Sequence, residues 1–135
     1  MVCLYCGGNT QVTNSRYQKR LGRVWRRRSC KTCKAMFTTI ESTDLALSLR
    51  VGKIDTPTTE PFQRDRLFVS LLQALGHRSN ALEAAGFITD TVTAKLLKTH
   101  PGARVEVTAL RNTAYNTLQS FDTVAAITYA AYHPN

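Results

Sequence analysis

The 135 residues carry 18 lysines and arginines against nine acids, a net charge of +9, with 43% hydrophobic and 20% charged residues. Such a chain can pack a core and does not read as disordered, and its length suits one ordinary domain or two small ones. No run approaches the ~18 apolar residues of a membrane helix, so no membrane partner is expected. The opening Met1-Val2-Cys3-Leu4-Tyr5-Cys6 lacks the basic-then-apolar pattern of a secretory signal, so a cytoplasmic protein is expected.

The charge is unevenly spread. Residues 1–43 hold nine basic residues and a single acid, Glu41, whereas residues 44–135 hold nine basic and eight acidic residues. A basic head of +8 joined to a nearly neutral body predicts two domains, 1–43 and 44–135, with the first meeting a polyanion.

All four cysteines lie in the head as Cys3-x-x-Cys6 and Cys30-x-x-Cys33. Two thiolate pairs at this spacing supply the four soft ligands of one structural, tetrahedral zinc, as in a zinc ribbon; reduced structural cysteines or disulfides are the alternative. Four thiolates leave no open position for catalysis at the metal. Gly7 and Gly8 follow the first pair, where a knuckle needs backbone freedom. Gln11–Arg16, Arg23–Arg26 and Met36–Ile40 read as short strands from their β-branched and aromatic content.

Trp25-Arg26-Arg27-Arg28-Ser29-Cys30 sets three arginines against the second cysteine pair. Arginine binds phosphate in bidentate fashion and reads guanine in the major groove, so Arg16, Arg26, Arg27, Arg28 and Lys31 are the expected nucleic-acid-binding residues, DNA-binding ones by the resemblance given below. A basic face serving only solubility is the bland alternative. On a strand, Arg26 and Arg28 face one way, Trp25 and Arg27 the other. Trp25 suits either core packing or base stacking.

In the body, Leu45–Val51 alternates as a strand should, and Lys53–Phe62, with two prolines, reads as a turn and a weak second strand. Helical spacing of Leu67, Phe68, Leu71, Leu72 and Leu75 predicts a helix over Gln63–Leu75, ended by Gly76. A second helix is expected over Asn80–Lys98, interrupted near Gly86 and broken at His100-Pro101-Gly102. Thr108 and Asp122 are expected to cap a third and a fourth helix. The fourth turns Val124, Ile127 and Ala130 or Ala131 inward. The fold class is α+β: a small all-β ribbon, then a mainly helical domain with a short β-hairpin. No nucleophile–base pair, carboxylate cluster or phosphate-binding glycine loop is evident, so no enzyme is expected; His77, His100 and His133 read as isolated surface residues.

The chain resembles the NrdR family, bacterial repressors of ribonucleotide reductase genes that join a zinc ribbon to a nucleotide-sensing ATP-cone. In the head the likeness rests on Cys3-Leu4-Tyr5-Cys6-Gly7, Asn14-Ser15-Arg16, Val24 through Cys30, and Met36-Phe37-Thr38-Thr39-Ile40-Glu41. In the body it rests on Glu60-Pro61-Phe62-Gln63-Arg64-Asp65-Arg66-Leu67, Leu71 through Leu75, Phe121 through Ile127, and Tyr129-Ala130. It implies an ATP-cone-like nucleotide-sensing and oligomerisation domain over 44–135, with Arg50, Lys53, Glu60 and Arg66 at the nucleotide and ATP or dATP as effector. It also implies a homo-oligomer on double-stranded DNA, at promoter boxes of ribonucleotide reductase genes, in the bacterial cytoplasm and on the nucleoid when bound. The chain departs from the family where Trp25 replaces a fourth Arg, Arg66 a Lys and Thr128 an Arg. The hairpin Arg50–Pro57 lacks the family's paired basic residues and Gly turn, and the family's usual C-terminal helical tail would lie beyond Asn135. Two functions follow: a zinc-dependent DNA-binding repressor whose oligomerisation responds to ATP or dATP, or a nucleotide-blind ribbon adaptor that binds nucleic acid or protein and uses its cone only to oligomerise.

Overall fold

A computed structural model describes residues 1–134 of the chain, which divide into two compact units, one over Met1–Thr43 and one starting at Asp44. The first unit is an antiparallel meander of β1 (Thr10–Gln18), β2 (Arg23–Cys30) and β3 (Met36–Glu41), in the order β1-β2-β3. A 3₁₀ turn over Lys19–Leu21 joins β1 to β2 and closes on Gly22 at φ 58°. Among the described residues, the only buried apolar ones of this unit are Cys3 and Cys30, while Leu4, Tyr5, Tyr17 and Met36 are exposed. So little burial cannot offset the conformational entropy of ordering some forty residues. A further cross-link is needed, and the cysteines are its natural source.

A bulge in β1 tunes the meander. Val12 pairs with Arg28 and Asn14 with Arg27, so Thr13 is the extra residue. Thr13 Oγ1 donates to the Arg27 carbonyl, satisfying backbone that the bulge disturbs. Past the bulge, Arg16 pairs directly with Trp25.

The second unit begins with a correction. Leu45–Val51 is not one strand: Leu45–Ser48 forms a helical turn, α1, and only Arg50–Gly52 forms a strand, β4. The Asp44 carboxylate accepts from the N–H groups of Ala46 and Leu47, and this cap outweighs the alternating pattern. β5 (Thr59–Pro61) pairs antiparallel with β4, as the hairpin reading expected. A third strand escaped it: β6 (Arg104–Glu106) runs parallel to β4, giving a sheet ordered β5-β4-β6. Three residues arriving some fifty positions later carry no periodicity that could announce such a pairing. Pro61 is tolerated because β5 is an edge strand.

The helices are α2 (Arg64–Ala74), α3 (Ala81–Thr99), α4 (Val107–Phe121) and α5 (Thr123–Tyr132). α2 packs against α3 and α5, and α4 packs against α3 and α5. Their shared core contains Leu71, Leu75, Ile88, Val92, Leu96 and Leu118, with Leu49, Phe62 and Val105 from the sheet side. Each large side chain so buried contributes about 1.5–3 kcal/mol.

Three details differ from the sequence reading. Gly86 does not interrupt α3, which runs unbroken for 19 residues; the ~1 kcal/mol cost of an interior glycine is small beside burial of Ile88, Val92 and Leu96. Thr108 is not a cap, because α4 starts one residue earlier and Glu106 occupies the cap position without a side-chain bond. In α5 the inward residues are Ala125, Ala126 and Tyr129, whereas Val124, Ile127, Ala130 and Ala131 are exposed. That helix is apolar almost all round, so periodicity could not choose a face. The choice falls to the alanines, whose small side chains permit close helix approach. Asp122 does cap α5, accepting from the Ala125 N–H. That bond, with Arg78 at 2.7 Å and His77 at 3.0 Å, holds its carboxyl well below the usual carboxylate range.

Candidate functional site

The four cysteines converge at one end of the meander. Cys3 Sγ lies 3.7 Å from Cys33 Sγ, Cys6 Sγ lies 3.6 Å from Cys30 Sγ, and all four lie within 4.8 Å of one another. A disulfide would bring two sulfurs to about 2.05 Å, so this is not a disulfide framework. A tetrahedral zinc with Zn–S bonds of about 2.3 Å needs sulfur–sulfur edges of about 3.8 Å, which this cluster already approaches.

Two knuckles shape the cluster. Gly7 at φ 73° and Lys34 at φ 62° each follow the second cysteine of a pair in the left-handed region. The turns are held by Gly7 N–H to the Cys3 carbonyl and Cys30 N–H to the Ala35 carbonyl, both 2.9 Å. The Lys31 N–H donates to the Asn9 carbonyl, tying the second knuckle to the strand side of the first. Tyr5 meets Phe37 edge-on at 6.4 Å, a small apolar buttress.

The electrostatics ask for a cation. The Cys33 N–H lowers the Cys30 thiol, burial opposes this, and the Thr32 N–H lowers it further, to about 6. The Ala35 N–H lowers Cys33, but hydrogen bonding to Cys6 and burial outweigh it and push it up to about 12. Four thiols this close cannot all shed protons unless a metal ion absorbs the charge. The donor set therefore fits zinc, with Cys3, Cys6, Cys30 and Cys33 as the residues that would hold it. Bound there, zinc would supply a structural cross-link.

Gly8 is the tightest point of the cluster. A Cβ there would sit 2.5 Å from Thr32 Oγ1 and 3.3 Å from Cys6 Sγ. Gly8→Ala is therefore expected to lower zinc affinity by an order of magnitude or more in a chelator competition titration. Adding Thr32→Ala should recover most of the loss; no recovery would mean that the contact does not limit the site.

The meander sorts the arginines onto two faces. Directly paired residues share a face, so Arg16, Trp25 and Ile40 lie together, with Arg27 beside Asn14 and Thr38 on the same side. Arg26 and Arg28 lie on the opposite face, as alternation predicts, and both are engaged within the unit. Arg26 reaches Glu41 at 3.2 Å. Arg28 donates through Nε to Thr39 Oγ1 at 3.2 Å and through a terminal nitrogen to Thr10 Oγ1 at 3.5 Å. Arg16 and Arg27 are exposed and make no side-chain hydrogen bond or ion pair among the described residues. Arg23 joins that face with its Nε on Gln18 Oε1 at 2.6 Å. Trp25, half-buried, lies between these cations, and Lys31 stands exposed on the second knuckle.

The second unit holds a cavity of about 590 Å³ between its small sheet and the ends of α2, α4 and α5. Lys53, Glu60 and Arg66 line it. Arg50, placed with them by resemblance, does not: its guanidinium donates to Thr59 Oγ1 at 3.1 Å and to the Thr59 carbonyl at 2.7 Å. Arg66 pairs with Glu60 at 3.3 Å. Arg104 braces the turn after β4 by donating to the carbonyls of Lys53 at 2.7 Å and Thr56 at 3.0 Å.

The histidines are not isolated, although His77 does stay exposed at the surface. His77 bonds Asp122, and His100 Nδ1 lies 2.9 Å from Thr99 Oγ1. His133 lines the cavity, where Ser70 Oγ bonds its Nε2 and the Tyr129 ring tilts against it at 4.5 Å. Burial, then the Arg111 charge, lowers the His133 pKa. No carboxylate is bonded to His133 among the described residues. Arg111 also lines the cavity. A signal for it exists in the sequence: Val107, Arg111, Ala114 and Leu118 follow a 4-3-4 spacing, which sets a cation on an otherwise apolar stripe.

Comparison with known proteins agrees with this architecture. The family model described as "Transcriptional repressor NrdR-like, N-terminal domain" matches residues 1–41. Proteins named transcriptional repressor NrdR match along the chain. The one from Aromatoleum aromaticum is 34% identical over all of this chain and 78% of its own length. That from Symbiobacterium thermophilum is 29% identical over 98% of this chain and 87% of its own, and that from Methylorubrum extorquens 33% identical over 100% and 72%. With a metal-ready ribbon followed by a helical domain, and relatives that span both, the chain belongs to the NrdR family of transcriptional repressors.

Proposed function

We propose that the protein is a zinc-dependent, DNA-binding repressor of ribonucleotide reductase genes in the bacterial cytoplasm, with oligomerisation that responds to ATP or dATP. Cys3, Cys6, Cys30 and Cys33 hold one structural zinc, and the sheet it stiffens carries the duplex contact. The observation that carries this reading is the exposed cationic face of Arg16 and Arg27, beside Trp25, on a sheet anchored by the four-sulfur cluster. Guanidinium groups without partners among the described residues are ready for phosphates, while Arg26 and Arg28 spend part of their donors holding the meander together. A single ribbon offers few contacts, so pairing ribbons through an oligomer would raise affinity by effective concentration and make half-site spacing part of recognition.

The cavity of the second unit supports the nucleotide half. Its volume suits a nucleotide-sized ligand, and Lys53 and Arg66 supply cations at its lining. Burial of Leu67 and Tyr129 gives the same cavity an apolar wall. A nucleotide that binds one oligomeric arrangement more tightly shifts the population toward it. The adaptor reading has one observation in its favour: the Arg50 guanidinium is bonded to Thr59 and is not among the groups that line the cavity.

A mobility-shift titration of the zinc-loaded chain against the reductase promoter of its source organism, with and without ATP and dATP, tests both halves. Duplex binding whose midpoint moves at least several-fold between nucleotides is expected. Binding indifferent to both nucleotides would leave the adaptor, and no binding under any condition would remove the repressor reading.

A further inference from the structure

The cavity contains a cation that neither the motifs nor the hairpin announced. We infer that Arg111 is a phosphate-binding residue of this cavity, supplying from α4 a positive charge additional to that of Lys53 in the hairpin. The inference rests on the nucleotide-binding reading above and extends it to a residue outside the hairpin and α2.

The cations near the cavity are unequal. Arg50 is committed to Thr59, and Arg104 to the carbonyls of Lys53 and Thr56. Arg66 shares its charge with Glu60. Arg111 has no carboxylate partner among the described residues; it donates one terminal nitrogen to the Pro134 carbonyl at 3.3 Å, and its remaining N–H donors have no other bond there. Among the described residues, that neutral carbonyl does not compensate its charge. Its field reaches the rings of the cavity: burial raises Tyr129 while Arg111 opposes it, and Arg111 adds to burial in lowering His133.

Position supports the same assignment. Arg111 is half-buried, one turn after Val107 and one turn before Ala114 on the stripe that α4 turns inward. A cation there loses part of its hydration, a cost that an anion in the cavity would offset. The planar guanidinium also matches two phosphate oxygens at once, which a lysine ammonium does not. Phosphate is the ligand chemistry that uses these features together, with the ligand's apolar or aromatic portion left to the Tyr129 side.

Calorimetry on the zinc-loaded full chain tests this with ATP and adenosine as probes. Arg111→Gln is expected to weaken ATP roughly 10- to 100-fold, the effect of removing one charge-assisted hydrogen-bond donor, and to leave any adenosine binding unchanged. Arg111→Lys, which keeps the charge and the helix, should fall between the two; it also serves if the Gln variant does not fold. ATP affinity within twofold of the parent in a folded Arg111→Gln or Arg111→Lys chain would overturn the role of Arg111 alone. No heat from the parent chain with ATP or dATP would overturn the nucleotide reading, and this inference with it.

Discussion

Cys30→Ser is expected to abolish stoichiometric zinc and unfold the unit over Met1–Thr43, while most of the far-ultraviolet helical signal survives. The substitution removes the best-prepared thiolate of the cluster, the one that receives the N–H groups of Thr32 and Cys33 at 3.4 Å. Structural zinc contributes an apparent stabilisation of about 10–16 kcal/mol. The meander has nothing comparable in reserve, since its apolar residues are mostly exposed. The helices, by contrast, share a core of their own around Leu71, Val92 and Leu118. Metal analysis and circular dichroism check this together, and chelation of the parent chain should reproduce the same partial loss. One concerted melt of both units would contradict independent folding.

The second large effect concerns the face rather than the number of arginines. Arg16→Ala with Arg27→Ala should lower duplex affinity by about two orders of magnitude and reduce the salt slope by about two, one for each phosphate no longer neutralised. Zinc content should stay at about one per chain, because neither side chain supports the fold. Arg28→Ala should behave in the opposite way, costing ribbon stability by removing the bridge between Thr10 and Thr39 and changing duplex affinity little once the ribbon is folded. Equally weakened binding in both variants, with zinc retained, would show that both faces meet the duplex. A parental salt slope in the double variant would remove Arg16 and Arg27 from the interface.

The arginine expectation depends on a register that the chain encodes only indirectly. Three successive arginines on a strand must alternate, and that much is plain from the residues alone. Which arginine joins Arg16 depends on Thr13, whose bulge brings Arg16 opposite Trp25. A bulge leaves almost no trace in composition. The same limit explains the cavity. Lys53, Glu60 and Arg66 come from the family resemblance, whose matching residues there form one short stretch around the hairpin and α2. Arg111, Tyr129 and His133 belong to helices and a helix end that reach the cavity only after the core has closed.

By itself the sequence determined the metal ligands' spacing, the basic head, the α2 and α3 stripes and the Asp122 cap. These follow from rules acting over three to seven residues: knuckle spacing, charge density, helical period and cap chemistry. Only the tertiary structure decided the parallel partner of β4, the buried face of α5, the division of the arginines and the cations that share the cavity. Those outcomes turn on long-range pairing, on which of several equally apolar faces packs, and on which charged groups satisfy each other. The four-cysteine pattern names a site from a few letters, whereas Arg111 gains its meaning from what surrounds it in the fold.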